Sequence, residues 1–111
     1  MDAAEAAVII YRSIILCRIY YFLCKNLLKK DVHKYHQAKL REECGIFHPG
    51  NFTTYLNILE MLGLCKRIST GRENLVIFHR ENIKKSILDL ATERIGEKPL
   101  VLGDEKKGDE K

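Results

Sequence analysis

The chain has 111 residues, 46% apolar and 31% charged, with a formal net charge of +4. That length fits one domain, and the apolar share is enough for a core, which excludes a globally disordered chain. The charge is uneven: between Lys25 and Arg80 ten Lys and Arg stand against five Asp and Glu, whereas residues 1–24 balance. Positive charge gathered in the middle of a chain favours a polyanionic partner.

Residues 3–29 predict helix, as one long element or two with a break. Val8, Tyr11, Ile15, Ile19, Phe22 and Leu23 form one apolar stripe at helical spacing, and Ile9, Leu16, Cys17, Tyr20, Cys24 and Leu27 widen it past one face. A helix apolar on two sides must bury both, so the second side is expected to meet another copy of the chain. Glu5, Arg12, Arg18 and Lys25 interrupt the segment, and its longest uncharged run is six residues. A spanning helix wants about 20 mostly apolar residues, so no membrane span is expected. The opening Met1-Asp2-Ala3-Ala4-Glu5 lacks the basic start of a secretory signal. A cytoplasmic protein is therefore expected, with an anchor lying on a membrane surface as the remote alternative.

The polar stretch from Lys29 to His33 ends this helix, and a second one is predicted over Tyr35–Cys44 with Ala38, Leu40 and Cys44 inward. Gly45 supplies its stop. Ile46 to Gly50 is a turn closed by a Pro-Gly breaker. A third helix is predicted from Asn51, a good N-cap, to Leu62, with Phe52, Leu56, Leu59 and Leu62 as its buried stripe. Leu64–Ser69, the turn Thr70-Gly71-Arg72-Glu73 and Asn74–His79 predict an antiparallel hairpin. A fourth helix follows over 81–95, with Ile83, Ile87, Leu90, Ala91 and Ile95 on its inner side, stopped by Gly96. One domain over 1–96 and a charged, disordered tail over 97–111 complete the expectation. The fold class is thus mainly α with a small β-hairpin, an α+β domain.

The four cysteines, Cys17, Cys24, Cys44 and Cys65, show no CxxC spacing. They are expected as small buried hydrophobes in a reducing compartment. Cys17 and Cys24 lie seven apart on one helix face, where a disulfide across a dimer is the alternative. His33, His36, His48 and His79 fall in four different elements, so no metal site is expected. No GxSxG, HExxH or Gly-rich phosphate loop occurs, and no enzyme, cofactor or small-molecule ligand is expected.

In order, helix, helix, turn, helix, hairpin and helix, the chain from Ile14 to Arg80 resembles a winged helix-turn-helix domain. AKLREECGI (Ala38–Ile46) resembles the first helix of that motif with its Gly-apolar turn. NFTTYLNILEMLGLCKR (Asn51–Arg67) is similar to a recognition helix running through Leu-x-x-Leu-Gly-Leu into the hairpin, and STGREN (Ser69–Asn74) resembles a short wing tip. The turn Phe47-His48-Pro49-Gly50 is longer than the family's usual connection. The resemblance implies a winged helix-turn-helix with an extended N-terminal helix and an added C-terminal one. It implies sequence-specific binding of double-stranded DNA by a small transcription regulator, working as a homodimer through the N-terminal helix, the C-terminal helix or both. The same fold also serves protein–protein interaction modules that never touch DNA, and that is the alternative.

On this reading Thr53, Thr54 and Asn57 face the major groove, where Asn matches adenine bidentately and Thr meets base edges or a thymine methyl. Gly50 and Asn51 offer backbone N–H groups to a phosphate at the helix start. Arg72 at the wing tip, with Lys66 and Arg67 on the first strand, is expected on phosphate or in the minor groove. Lys34 and Lys39, with Lys30, His36 and Arg41 nearby, are expected to meet the backbone through charge.

Overall fold

A computed structural model describes residues 3–30 and 34–100. It is mainly helical, with a small three-stranded antiparallel sheet. The elements run α1 (Ala3–Tyr11), α2 (Ile14–Lys30), β1 (Lys34–His36), α3 (Gln37–Cys44), α4 (Pro49–Met61), β2 (Lys66–Ser69), β3 (Asn74–Ile77), a 3-10 turn (Arg80–Asn82) and α5 (Lys85–Ile95). The expected mainly-α fold with a small β element is what forms.

The N-terminal segment is two helices, bent by 118° at Arg12–Ser13. Ser13 causes the break, because its Oγ accepts the Leu16 N–H at 3.2 Å and so caps a new helix. The bend sends the wide apolar surface to a different destination from the one expected. Ala6, Ala7, Ile10, Leu16, Ile19, Leu23 and Leu27 are all buried, because α5 packs across both α2 and α1 of the same chain. A second copy is not needed to cover the far side of α2. Val8 and Tyr11, expected in the stripe, are instead outward, since the bend rotates α1 relative to α2. Among the described residues no single helix is long and apolar enough to cross a membrane.

The sheet has a third strand that periodicity missed. β1 is only three residues, too short for an alternation to register, and it pairs antiparallel with β3 as Lys34–Ile77, Tyr35–Val76 and His36–Leu75. The order is β1-β3-β2, with β2 and β3 forming the expected hairpin from Lys66–Ile77 to Ser69–Asn74. The predicted start of the second helix at Tyr35 is accordingly corrected to Gln37, and Ala38 faces outward.

Helix α4 begins earlier than expected, and Asn51 is not its cap. Pro49 and Gly50 belong to the first turn, and His48 is the cap residue. Proline suits that position because its missing N–H has no partner there in any case and its φ is already helical. The connection from α3 is therefore Gly45–His48, an ordinary helix-turn-helix length rather than a long one. Gly45 and Gly63 end α3 and α4 at φ +73° and +76°, letting Ile46 N–H reach Arg41 O at 3.2 Å and Leu64 N–H reach Leu59 O at 3.0 Å.

Phe52, Leu56 and Leu59 are fully buried, joined by Val76 from β3, Phe78 just after that strand and Leu40 from α3. The expected inner face of the last helix is rotated: Ile87, Leu88, Ala91 and Thr92 are buried, and Leu90 is outward. The core also reaches past Gly96, where the Tyr21 hydroxyl donates to Lys98 O at 3.4 Å and Leu100 packs against buried residues. The tail from 101 to 111 lies outside the described residues. All four cysteines are buried free thiols. Cys17 and Cys24, the positions of the alternative cross-dimer disulfide, both turn into the core of their own chain.

Candidate nucleic-acid interface

Burying Phe52, Leu56 and Leu59 leaves Gly50, Thr54, Asn57 and Met61 as an exposed strip along α4, since positions three and four apart share a face. Asn51 is exposed beside them. Thr54 donates its hydroxyl proton to Gly50 O at 3.1 Å. Thr53 is different: it is half-buried on the flank toward α3, where its Oγ1 accepts from Gln37 Nε2 at 3.3 Å. The three side chains expected on one strip thus divide, with Thr53 engaged between two helices and Thr54 and Asn57 outward.

Asn57 is tied to the base of the hairpin. Arg67 donates from Nη2 to Asn57 Oδ1, while its Nε meets Glu60 Oε1 at 3.1 Å and its backbone N–H meets Glu60 Oε2 at 3.2 Å. Only a quarter of the Arg67 side chain is exposed. Arg67 is therefore held in place, not free as a long flexible cation. Strand alternation sends Lys66 to the opposite face, where it lines a separate cleft with Glu60, Cys65, Ile77 and His79. The structure does not bring Lys66 to the α4 strip.

The hairpin tip carries Arg72 in the loop Thr70–Glu73. That loop is closed by Thr70 N–H on Glu73 O at 3.0 Å and by Glu73 N–H on Thr70 Oγ1 at 3.3 Å. Gly71 at φ +91° makes the reversal. Arg72 is exposed and makes no ion pair among the described residues. It borders a cleft of about 440 Å³ between the tip and the start of α3, shared with Gln37, Arg41, Phe52 and Asn74. Beside it, Glu73 Oε1 lies 3.0 Å from His36 Nδ1 at the end of β1. A second cleft, about 200 Å³, gathers Lys34, Lys39, Tyr35 and Glu43 on the other side of His36. Lys34 and Lys39 thus share one basic edge, adjacent to the Arg72 cleft through His36.

Of the carboxylates around this surface, Glu60 and Glu73 face Arg67 and His36 respectively, and Glu43 shares the Lys34–Lys39 cleft, where it accepts from Asn26 Nδ2 at 2.8 Å. Lys34, Lys39 and Arg72 supply its outward positive charge. Arg41, in the Arg72 cleft, gives Nη1 to Ile46 O and Phe47 O, each at 2.9 Å, and so fixes the turn before α4. Gln37, Glu60 and Glu73 were not anticipated. Glu60 lies seven residues before Arg67, across a helix end and a turn, a pairing that no helical or strand period reveals. Among the described residues no cluster of His, Cys, Asp or Glu is placed to hold a metal ion. Burial pushes the Cys44 and Cys65 thiols up to about 12, which leaves them protonated and unreactive at neutral pH. No protein-family model, curated protein or solved structure matches the chain.

Proposed function

We propose that the chain is a winged helix-turn-helix protein that binds double-stranded DNA in a sequence-specific way, as a small transcription regulator. One observation carries this reading. The exposed polar strip of α4, Gly50, Thr54 and Asn57, is joined to the base of the hairpin through Arg67 and Asn57, the hairpin tip carries the exposed Arg72, and a four-residue turn leads from α3 into α4. An α-helix fits the major groove, about 12 Å wide, and its N-terminal residues meet base edges there. Lys34, Lys39 and Arg72 then meet phosphates, and each phosphate neutralised contributes about 0.9 to the log–log salt slope.

A second copy belongs to the same proposal through a smaller surface than the sequence implied. Val8, Tyr11 and Ile14 at the α1–α2 bend and Leu90 on α5 remain exposed, on the two N-terminal helices and the C-terminal one. Two copies joined there would present their α4 helices to half-sites about one DNA turn apart.

The alternative, a module that binds proteins through the same face, draws on Phe47 in the turn before α4 and Met61 at the far end of the strip, 86% and 83% exposed. Fluorescence anisotropy with a mixed-sequence duplex at low salt separates the two. DNA binding predicts saturable association that weakens steeply as salt rises. No association at low salt would leave the protein-binding reading.

A further inference from the structure

A carboxylate stands where a phosphate-binding surface wants none. Glu73 follows Arg72 directly in the hairpin tip. Its backbone closes the turn, with N–H on Thr70 Oγ1 at 3.3 Å and O accepting from Thr70 N–H at 3.0 Å. Its side chain takes no part in that turn and reaches β1 instead, where Oε1 lies 3.0 Å from His36 Nδ1. The ladder accounts for the meeting: His36 stands opposite Leu75, and Glu73, two residues before Leu75, is one diagonal step along the same face. Both side chains stay open to solvent, 58% exposed for His36 and 50% for Glu73.

A carboxylate only accepts, so Nδ1 holds its proton toward Glu73 and Nε2 is the ring nitrogen left to titrate. With the imidazole neutral the pair carries a net negative charge; a proton on Nε2 cancels that charge and adds an N–H that a phosphate oxygen can accept. The other groups facing His36 are mostly cationic. Lys34 on β1 and Lys39 on α3 line the cleft on one side, together with Glu43, which bonds Asn26 of α2 at 2.8 Å. Arg41 on α3 and Arg72 line the cleft on the other side, with Glu73 itself. His36 is thus the charge-changing group between Lys34 and Lys39 on one hand and Arg72 on the other. We propose that the His36–Glu73 pair is a proton switch on the DNA-binding surface: neutral His36 leaves Glu73 to repel phosphate, and protonation relieves that repulsion, so duplex binding tightens as pH falls through the imidazole range. The inference rests on the DNA-binding reading.

Fluorescence anisotropy with a mixed-sequence duplex tests it, using the full chain at about pH 8 and about pH 5.5, where an imidazole changes charge and carboxylates do not. A single charge a few ångströms from a phosphate alters affinity roughly fivefold at the dielectric of water. The wild type should therefore bind roughly fivefold or more tightly at the lower pH, with a log–log salt slope steeper by about 0.9. His36→Gln should lose that gain, whereas His48→Gln, at the start of α4, should keep it. Glu73→Gln should bind roughly fivefold more tightly than the wild type at about pH 8, because the repelling charge is gone before any proton arrives. A wild type no tighter in acid would overturn the inference, as would a full gain in His36→Gln or a Glu73→Gln no tighter at the higher pH; all three leave DNA binding standing. If the wild-type circular dichroism changes at the lower pH, the Glu73→Gln comparison at the higher one decides alone. A wild type that binds no duplex at low salt at either pH removes the DNA reading itself, and this inference with it.

Discussion

Replacing Tyr20 with Phe removes one oxygen from the centre of the fold. Tyr20 is fully buried, its ring edge-on to Phe78 at 6.0 Å. Its hydroxyl donates to Asn82 O at 2.6 Å and accepts from Lys84 N–H at 2.8 Å. These bonds pin α2 to the link between the 3-10 turn and α5, more than 60 residues away in sequence. Tyr20→Phe keeps the ring and its packing but strips two backbone groups of their partner. Each group left unsatisfied costs about 1–3 kcal/mol. Asn82 is half-buried and Lys84 is exposed, so water reaches part of this link and the lower end applies, about 2 kcal/mol for the pair. In urea that is a fall in midpoint of about 1 M at unchanged slope; on heating it is a drop of about 10 °C. Unfolding followed by far-UV circular dichroism measures it, with Tyr21→Phe as the control, because Tyr21 makes only the single 3.4 Å bond to Lys98 O. Amide exchange at Lys84 supplies the local readout: slow in the wild type, fast in Tyr20→Phe. A midpoint shared by both variants and the wild type would refute the reasoning, and so would unchanged exchange at Lys84.

Other outcomes follow from the same structure. Cys44 and Cys65 titrate in an unfolded chain near 9, whereas burial raises them to about 12 in the fold. Above pH 9 the unfolded chain loses these protons first, so stability is full below pH 9 and falls by up to about 1.4 kcal/mol per pH unit per thiol as pH climbs toward 12. Urea midpoints from pH 7 to 10.5 check this; a curve flat to 10.5 would refute it. Because all four cysteines are buried and free, a thiol reagent should label none of them in the native protein and all four in denaturant; fewer on unfolding would mean a disulfide. Gly45→Ala places a side chain at φ +73° with nothing within 4 Å of the new Cβ, so its cost is conformational alone, about 1–2 kcal/mol by denaturation. Arg72→Ala should lower the duplex-binding salt slope by about one and weaken all duplexes alike; a change confined to some sequences would place Arg72 on bases instead.

The sequence by itself determined the helices whose apolar period is regular, the hairpin and the helix ends at glycine. Phe52, Leu56 and Leu59 were legible because burial repeats every three or four residues along α4. Gly45, Gly63 and Gly96 were legible because a left-handed residue must close each of those helices. Within the candidate interface, Thr54, Asn57 and Arg72 were found as what is left outside once the core is assigned. Tertiary structure decided the rest. Whether the far side of α2 meets a second copy or α5 depends on the bend at Ser13, and an apolar face does not carry the name of its partner. β1 exists because β3 offers it an edge, and three residues hold no period of their own. The Arg67 side chain is the sharpest case: its identity allows a long cation open to phosphate. Only Glu60, seven residues earlier across a helix end and a turn, decides otherwise, because a carboxylate that accepts from both Nε and the backbone N–H holds the guanidinium in place.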